Sequence, residues 1–83
     1  MNLLYFAWVR ERIGAGHECF DVPADIITVA DLLVWLAARS PGHAAALADR
    51  SAIRIAIDQD FVGDDALLAG ASEIAIFPPV TGG

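Results

Sequence analysis

Apolar residues alternate at the two ends of this chain and recur at helical spacing in its middle. Near the start, Leu3, Tyr5, Ala7 and Val9 alternate with Leu4, Phe6 and Trp8, and the run leads into Arg10. Period-two alternation with both faces apolar predicts a central strand over residues 3–9. Gly14-Ala15-Gly16 is a turn signal, and residues 17–22 read as a second strand forming a hairpin with the first. The spacing then changes. Val29, Leu32, Leu33 and Leu36 fall on one helical stripe, with Asp31, Trp35 and Arg39 off it. Thr28 is placed to cap that helix, with Asp31 three residues on in a capping-box arrangement.

Ser40-Pro41-Gly42 ends the main helix, and the alanine-rich residues 43–49 predict a short second helix able to cover Trp35. Alternation returns with Ile53, Ile55 and Ile57 against Arg54, Ala56 and Asp58, a half-buried strand. Asp58-Gln59-Asp60 reads as a turn, and Phe61-Val62 as a short returning strand. Gly63 and Gly70 bracket an irregular segment with Leu67 and Leu68 packed beneath it. A last strand over residues 73–77 sends Ile74 and Ile76 to one face, Ala75 and Phe77 to the other. The order strand, strand, helix, strands, final strand predicts an α+β domain, one mixed sheet with the main helix across a single face.

Composition sharpens this. With 83 residues there is room for one core, yet 57% of the residues are hydrophobic and only 19% charged. A domain this small hides only about 60% of the surface its unfolded chain exposes, so part of the apolar surface is expected to meet a protein partner. Eleven acids against five bases give a net charge of −6, which argues against nucleic acid, where phosphates demand a basic face. The apolar first residues lack a basic flank and are too short to cross a membrane, so a cytoplasmic protein is expected.

The body offers little catalytic chemistry. His17 and His43 are far apart in sequence and expected to be solvated or hydrogen-bonded. Cys19 has no cysteine partner and is expected to pack as a small hydrophobe. Asp58, Asp60, Asp64 and Asp65 gather around turns, where aspartate is favoured, and their spacing matches no calcium loop; no metal site is expected.

Chemistry concentrates instead at the C-terminal end. After Phe77, Pro78 and Pro79 stop any strand and extend the chain, which runs through Val80 and Thr81 to Gly82-Gly83. Six extended residues reach about 20 Å, and glycine without a Cβ threads a narrow site. This divides the chain into a folded domain over 1–77 and a tail over 78–83, with the Gly83 carboxylate as the working group. Lysine is absent, so no side-chain amine on the chain could intercept an activated terminus. Beside the tail, Phe6, Trp8 and Arg10 of the first strand are expected on the helix-free face with Phe77 and Ala56. Aromatics flanked by arginine are the composition of interface hot spots.

The run Phe77-Pro78-Pro79-Val80-Thr81-Gly82-Gly83 resembles the C-terminus of the molybdopterin synthase small-subunit family, and Phe6-Ala7-Trp8-Val9-Arg10-Glu11 is similar to that family's opening strand. Thr28-Val29 begins a helix at the matching place, so the resemblance covers essentially the whole chain. It implies a ubiquitin-like β-grasp fold with the first and last strands parallel and central. It also implies a sulfur carrier. A ubiquitin-activator-like adenylating enzyme joins AMP to Gly83, a sulfurtransferase system converts the terminus to a thiocarboxylate, and the large synthase subunit receives the tail. The sulfur passes there to cyclic pyranopterin monophosphate in molybdenum cofactor biosynthesis. No cofactor is then expected on the folded domain, only a transient C-terminal adenylate and thiocarboxylate, and the catalytic groups belong to the partners. The resemblance carries partner binding onto Phe6, Arg10, Phe61 and Phe77, and insertion onto Pro78, Pro79, Val80, Thr81, Gly82 and Gly83. Trp8 stands where a more polar residue is usual, and Asp58 where asparagine is common. A carrier for thiamine or tRNA thiolation, and a non-catalytic β-grasp binding module or lysine-conjugated modifier, are the alternatives.

Overall fold

A computed structural model describes residues 1–79. Its five strands are β1 (Asn2–Tyr5), β2 (His17–Cys19), β3 (Arg54–Ile57), β4 (Asp60–Val62) and β5 (Glu73–Phe77). They form one mixed sheet in the order β2-β1-β5-β3-β4. β1 and β5 run parallel, with Leu3 opposite Ile74 and Tyr5 opposite Ile76; the other pairings are antiparallel. The first and last strands are thus neighbours inside the sheet, the arrangement of a β-grasp domain.

Three helices, α1 (Ala7–Ile13), α2 (Val29–Ala37) and α3 (Pro41–Leu47), accompany the sheet. The core lies between α2 and one sheet face. Leu3, Tyr5, Ile55, Ile74 and Ile76 meet Val29, Leu32 and Leu36, all at most 2% exposed. Burying side chains of this size stabilises by about 1.5–3 kcal/mol each.

Helix α2 starts as its sequence predicts. Thr28 Oγ1 accepts from the Asp31 amide, and Asp31 Oδ2 accepts from the amides of Thr28 and Ile27. Two further amides of the first turn donate to carbonyls of the irregular segment, Val29 to Ala66 and Ala30 to Asp64. The donors that a helix N-terminus leaves open are therefore met by side chain and loop together.

The first strand is shorter than its alternation predicts. The chain leaves the sheet after Phe6, turns through Ala7 at φ +53°, and forms α1. The physical reason lies in residues 9–14. Val9 and Ile13 are four apart and face inward, Arg10, Glu11 and Arg12 favour helix, and Gly14 is a C-cap at φ +90° whose amide donates to the Arg10 carbonyl. Gly14 is therefore a helix stop and not a hairpin turn; β1 and β2 pair antiparallel but are joined through a helix.

Smaller expectations also change. The second strand spans only His17–Cys19, and Cys19 is exposed on this edge strand, not packed. Leu68 is buried, but Leu67 is 64% exposed; Leu67 bridges to Thr28, and successive side chains of an extended segment point to opposite sides. Asp58 and Gln59 form a two-residue hairpin turn with both φ values positive, the geometry that matches strand twist.

His43 is hydrogen-bonded and buried. Its Nε2 lies 2.7 Å from Glu18 Oε1, which also accepts from the Tyr5 hydroxyl at 2.8 Å. Its Nδ1 lies 2.7 Å from Ser40 Oγ, the N-cap of α3. The tautomer carrying its proton on Nε2 satisfies both contacts.

Candidate functional site

Strand register shows what occupies the face away from the core. Because alternate side chains point to opposite sides, Leu4 on β1, Ala75 and Phe77 on β5, Arg54 and Ala56 on β3 and Phe61 on β4 share the outer face. Leu4 sits opposite Ala75, Ala75 opposite Ala56, Ala56 opposite Phe61, and Phe77 opposite Arg54. Phe6 continues β1 in extended geometry, with its amide donating to the Ile76 carbonyl. That places it beside Phe77 on the same face.

The face is polarised along the strands. Its far end carries Asn2, Cys19, Glu73 and Asp58; His17, Leu4, Ala75, Ala56 and Phe61 form the middle row, and the end from which the chain leaves toward Pro78 carries Phe6, Phe77 and Arg54. Phe61 is 78% and Phe6 48% exposed. The rings of Phe61 and Phe77 lie 5.5 Å apart by centroid, although their strands are separated by β3. Neighbouring strands sit about 4.8 Å apart, so the two rings must lean toward each other over β3. Ala56 leaves them the room, and is 5% exposed on a face with no helix.

Of the expected partner residues, the structure unites Phe6, Phe61 and Phe77, and places Pro78 and Pro79 half-buried directly after them. Trp8 and Arg10 do not share this face, which corrects their assignment to a longer first strand. Both lie on α1. The Arg12 guanidinium stacks on Trp8 at 4.4 Å, and the Arg10 side chain runs along Gly16. Val80, Thr81, Gly82 and Gly83 lie outside the described residues.

Two of the four turn aspartates have local partners. Asp58 accepts from the amides of Ser72 and Glu73, and Asp64 pairs with Arg50. Arg54 belongs to this face too, although nothing in its local sequence marks it as a site residue. Alternation with Ile53 and Ile55 put it on the outer side, but its place beside the tail root depends on the β3–β5 register.

Comparison with known proteins agrees with this geometry. Residues 3–83 match the ThiS family. The chain is 41% identical over 83 residues to the molybdopterin synthase sulfur carrier subunit of Escherichia coli strain K12, covering 100% of this chain and 99% of that protein. It is 38% identical over 89 residues to the human molybdopterin synthase sulfur carrier subunit, covering 100% and 93%. Among solved structures, SAMP1 from Haloferax volcanii superposes with a TM-score of 0.75 at 28% identity, covering 100% of this chain and 98% of that one. A mixed sheet with parallel central strands, a helix across one face and full-length relatives of this kind place the chain in the ThiS family.

Proposed function

We propose that this protein is the sulfur carrier subunit of a molybdopterin synthase, working in molybdenum cofactor biosynthesis through the carboxylate of Gly83. The observation that carries the proposal is the Phe61–Phe77 ring pair at the root of Pro78-Pro79, with the exposed Phe6 on the same face beside Phe77. An exposed apolar face adjoining an extended segment gives a partner a place to grip while the tail enters it. The full-length relatives named above support the pathway.

The chemistry follows from the terminus. A carboxylate is a poor acyl donor because oxide is a poor leaving group. An adenylating enzyme related to ubiquitin activators attacks ATP with the Gly83 carboxylate, forming an acyl adenylate and releasing pyrophosphate. A sulfurtransferase system supplies sulfur, AMP leaves, and the terminus becomes a thiocarboxylate. The large synthase subunit then receives the tail, and sulfur passes to cyclic pyranopterin monophosphate. Gly83 is a covalent carrier; the acids, bases and nucleotide site belong to the partners, in the cytoplasm.

The test is intact-protein mass after incubation with ATP, a sulfur source and the adenylating enzyme, beside a Gly83-deleted control. The control matters because exchange of oxygen for sulfur is nearly isobaric with oxidation of Met1 or Cys19. The expected result is a shift that requires Gly83 and whose species takes up one alkyl group more than the Gly83-deleted control, since the exposed Cys19 is alkylated in both. No shift with an enzyme active on its own carrier would overturn the proposal.

A further inference from the structure

The five arginines of this chain have distinct surroundings. Arg50 pairs with Asp64. Arg12 and Arg39 stack on Trp8 and Trp35, each 4.4 Å from the ring centroid. Arg10 runs along Gly16. Arg54 alone among them stands on the outer sheet face, opposite Phe77 at the root of the tail.

Its guanidinium is held in place. Nη1 donates to the carbonyls of Ser51 at 3.1 Å and Ile53 at 2.9 Å. Among the described residues no carboxylate lies within salt-bridge distance of it, and Nε and Nη2 keep their donors unspent. A guanidinium fixed on one edge and open on the other loses less freedom on binding than a mobile one. Its planar fork suits a carboxylate. A phosphate-bearing polymer would have to approach a chain of net charge −6, which disfavours that class.

Resting on the functional reading above, we propose that Arg54 is a specificity-determining residue: it receives a carboxylate of the large synthase subunit as the tail enters. The aromatic cluster supplies apolar contact area, which tolerates sliding. A charge-assisted hydrogen bond does not, so Arg54 sets the register in which Phe77, and hence the tail behind it, meets the partner. Because the chain as a whole is acidic, at net charge −6, a partner carboxylate away from an arginine is disfavoured.

The test separates local pairing from the overall field. Arg54→Glu and Arg39→Glu both make the chain two units more negative, but only the first alters the outer face. Affinity for the large subunit is measured by calorimetry at low and high salt, with folding of each variant checked by thermal melt. Arg54→Glu is expected to bind about 100-fold more weakly at low salt, with a smaller deficit at high salt, while Arg39→Glu stays within about threefold of the parent. Arg54→Met, which keeps the stem, is expected to lose about tenfold and guards against misfolding of the reversal. Arg54→Glu and Arg54→Met that bind like the parent, or an Arg39→Glu deficit as large as that of Arg54→Glu, would overturn the proposal. Parent protein that fails to bind the large subunit at all would instead overturn the functional reading, and this inference with it.

Discussion

Glu18 Oε1 lies 2.7 Å from His43 Nε2 and 2.8 Å from the Tyr5 hydroxyl, so one carboxylate oxygen ties β2 to both β1 and α3. Tyr5 is 1% and His43 5% exposed. Truncating Glu18 to alanine leaves two buried polar groups without an acceptor, and each such orphan costs about 1–3 kcal/mol. The Glu18→Ala variant is therefore expected to unfold at clearly lower denaturant than the parent, with the same denaturant dependence in a urea titration.

The same network sets an alkaline limit. Burial, and then the neighbouring Glu18, hold the Tyr5 phenol well above its ordinary value of 10.0. The folded-state value is raised, so the stabilisation is fully present below about pH 10 and is lost as pH rises beyond it. Above that point the unfolded chain ionises Tyr5 while the folded chain does not. Stability of the parent is expected to fall more steeply than that of Tyr5→Phe between about pH 10 and about pH 11.5. Urea midpoints across that window would show it. Parallel curves for the two proteins would assign alkaline unfolding to other groups.

Exposure divides the aromatic cluster into energetic and structural parts. Phe61 is 78% exposed, so Phe61→Ala is expected to change stability by no more than about 0.5 kcal/mol. Its loss from the partner interface is expected to cost about 2 kcal/mol of binding, the range of an aromatic hot spot. Phe77 is half-buried and touches the Phe61 ring, so Phe77→Ala should lower both. Melting temperature and affinity for the large subunit, measured on the same preparations, separate the two effects.

Much of this was legible in the chain before any coordinates. Alternation at Ile53, Ile55 and Ile57 and at Ile74 and Ile76 gives two strands and their buried faces. Thr28 and Asp31 mark the start of α2 to the residue. The opening segment was misleading for a physical reason. Residues 3–9 are apolar at every position, so period two and period 3.6 fit equally well, and the residues that follow, Arg10 to Ile13 with Gly14 as a C-cap, decide between them. Trp8 and Arg10 move from the outer sheet face to α1 with that decision. Register was also hidden. Nothing local to residues 54 or 77 says that Arg54 faces Phe77, because that pairing is set by contacts distant in sequence.

Gly42 shows a constraint that composition conceals. It lies in the first turn of α3, where a Cβ would sit 2.4 Å from the Arg12 carbonyl oxygen of α1. That oxygen is backbone and cannot swing aside. Gly42→Ala must push α1 and α3 apart, and overpacking of this kind costs about 1–3 kcal/mol. A lowered melting temperature with an unchanged outer face, judged by unaltered partner affinity at low temperature, is the expected outcome.

Asp58 joins the β3–β4 hairpin to the start of β5. Its carboxylate accepts from the amides of Ser72 at 3.1 Å and Glu73 at 2.9 Å, and its own amide donates to the Glu73 carbonyl. It does this at φ +47°, a conformation that aspartate and asparagine tolerate better than most residues. Two requirements therefore meet at one position: a side-chain oxygen three bonds from the Cα, and tolerance of the left-handed region. Asparagine meets both. Asp58→Asn is expected to stay within about 1 kcal/mol of the parent, since one oxygen acceptor survives. Asp58→Ala loses the acceptor and gains left-handed strain, and is expected to cost about 2–3 kcal/mol. Hydrogen exchange at the Ser72 and Glu73 amides reads the cause directly: protection should persist in the asparagine variant and collapse in the alanine one. Equal protection in both would assign the amides' shielding to the sheet and not to the Asp58 side chain.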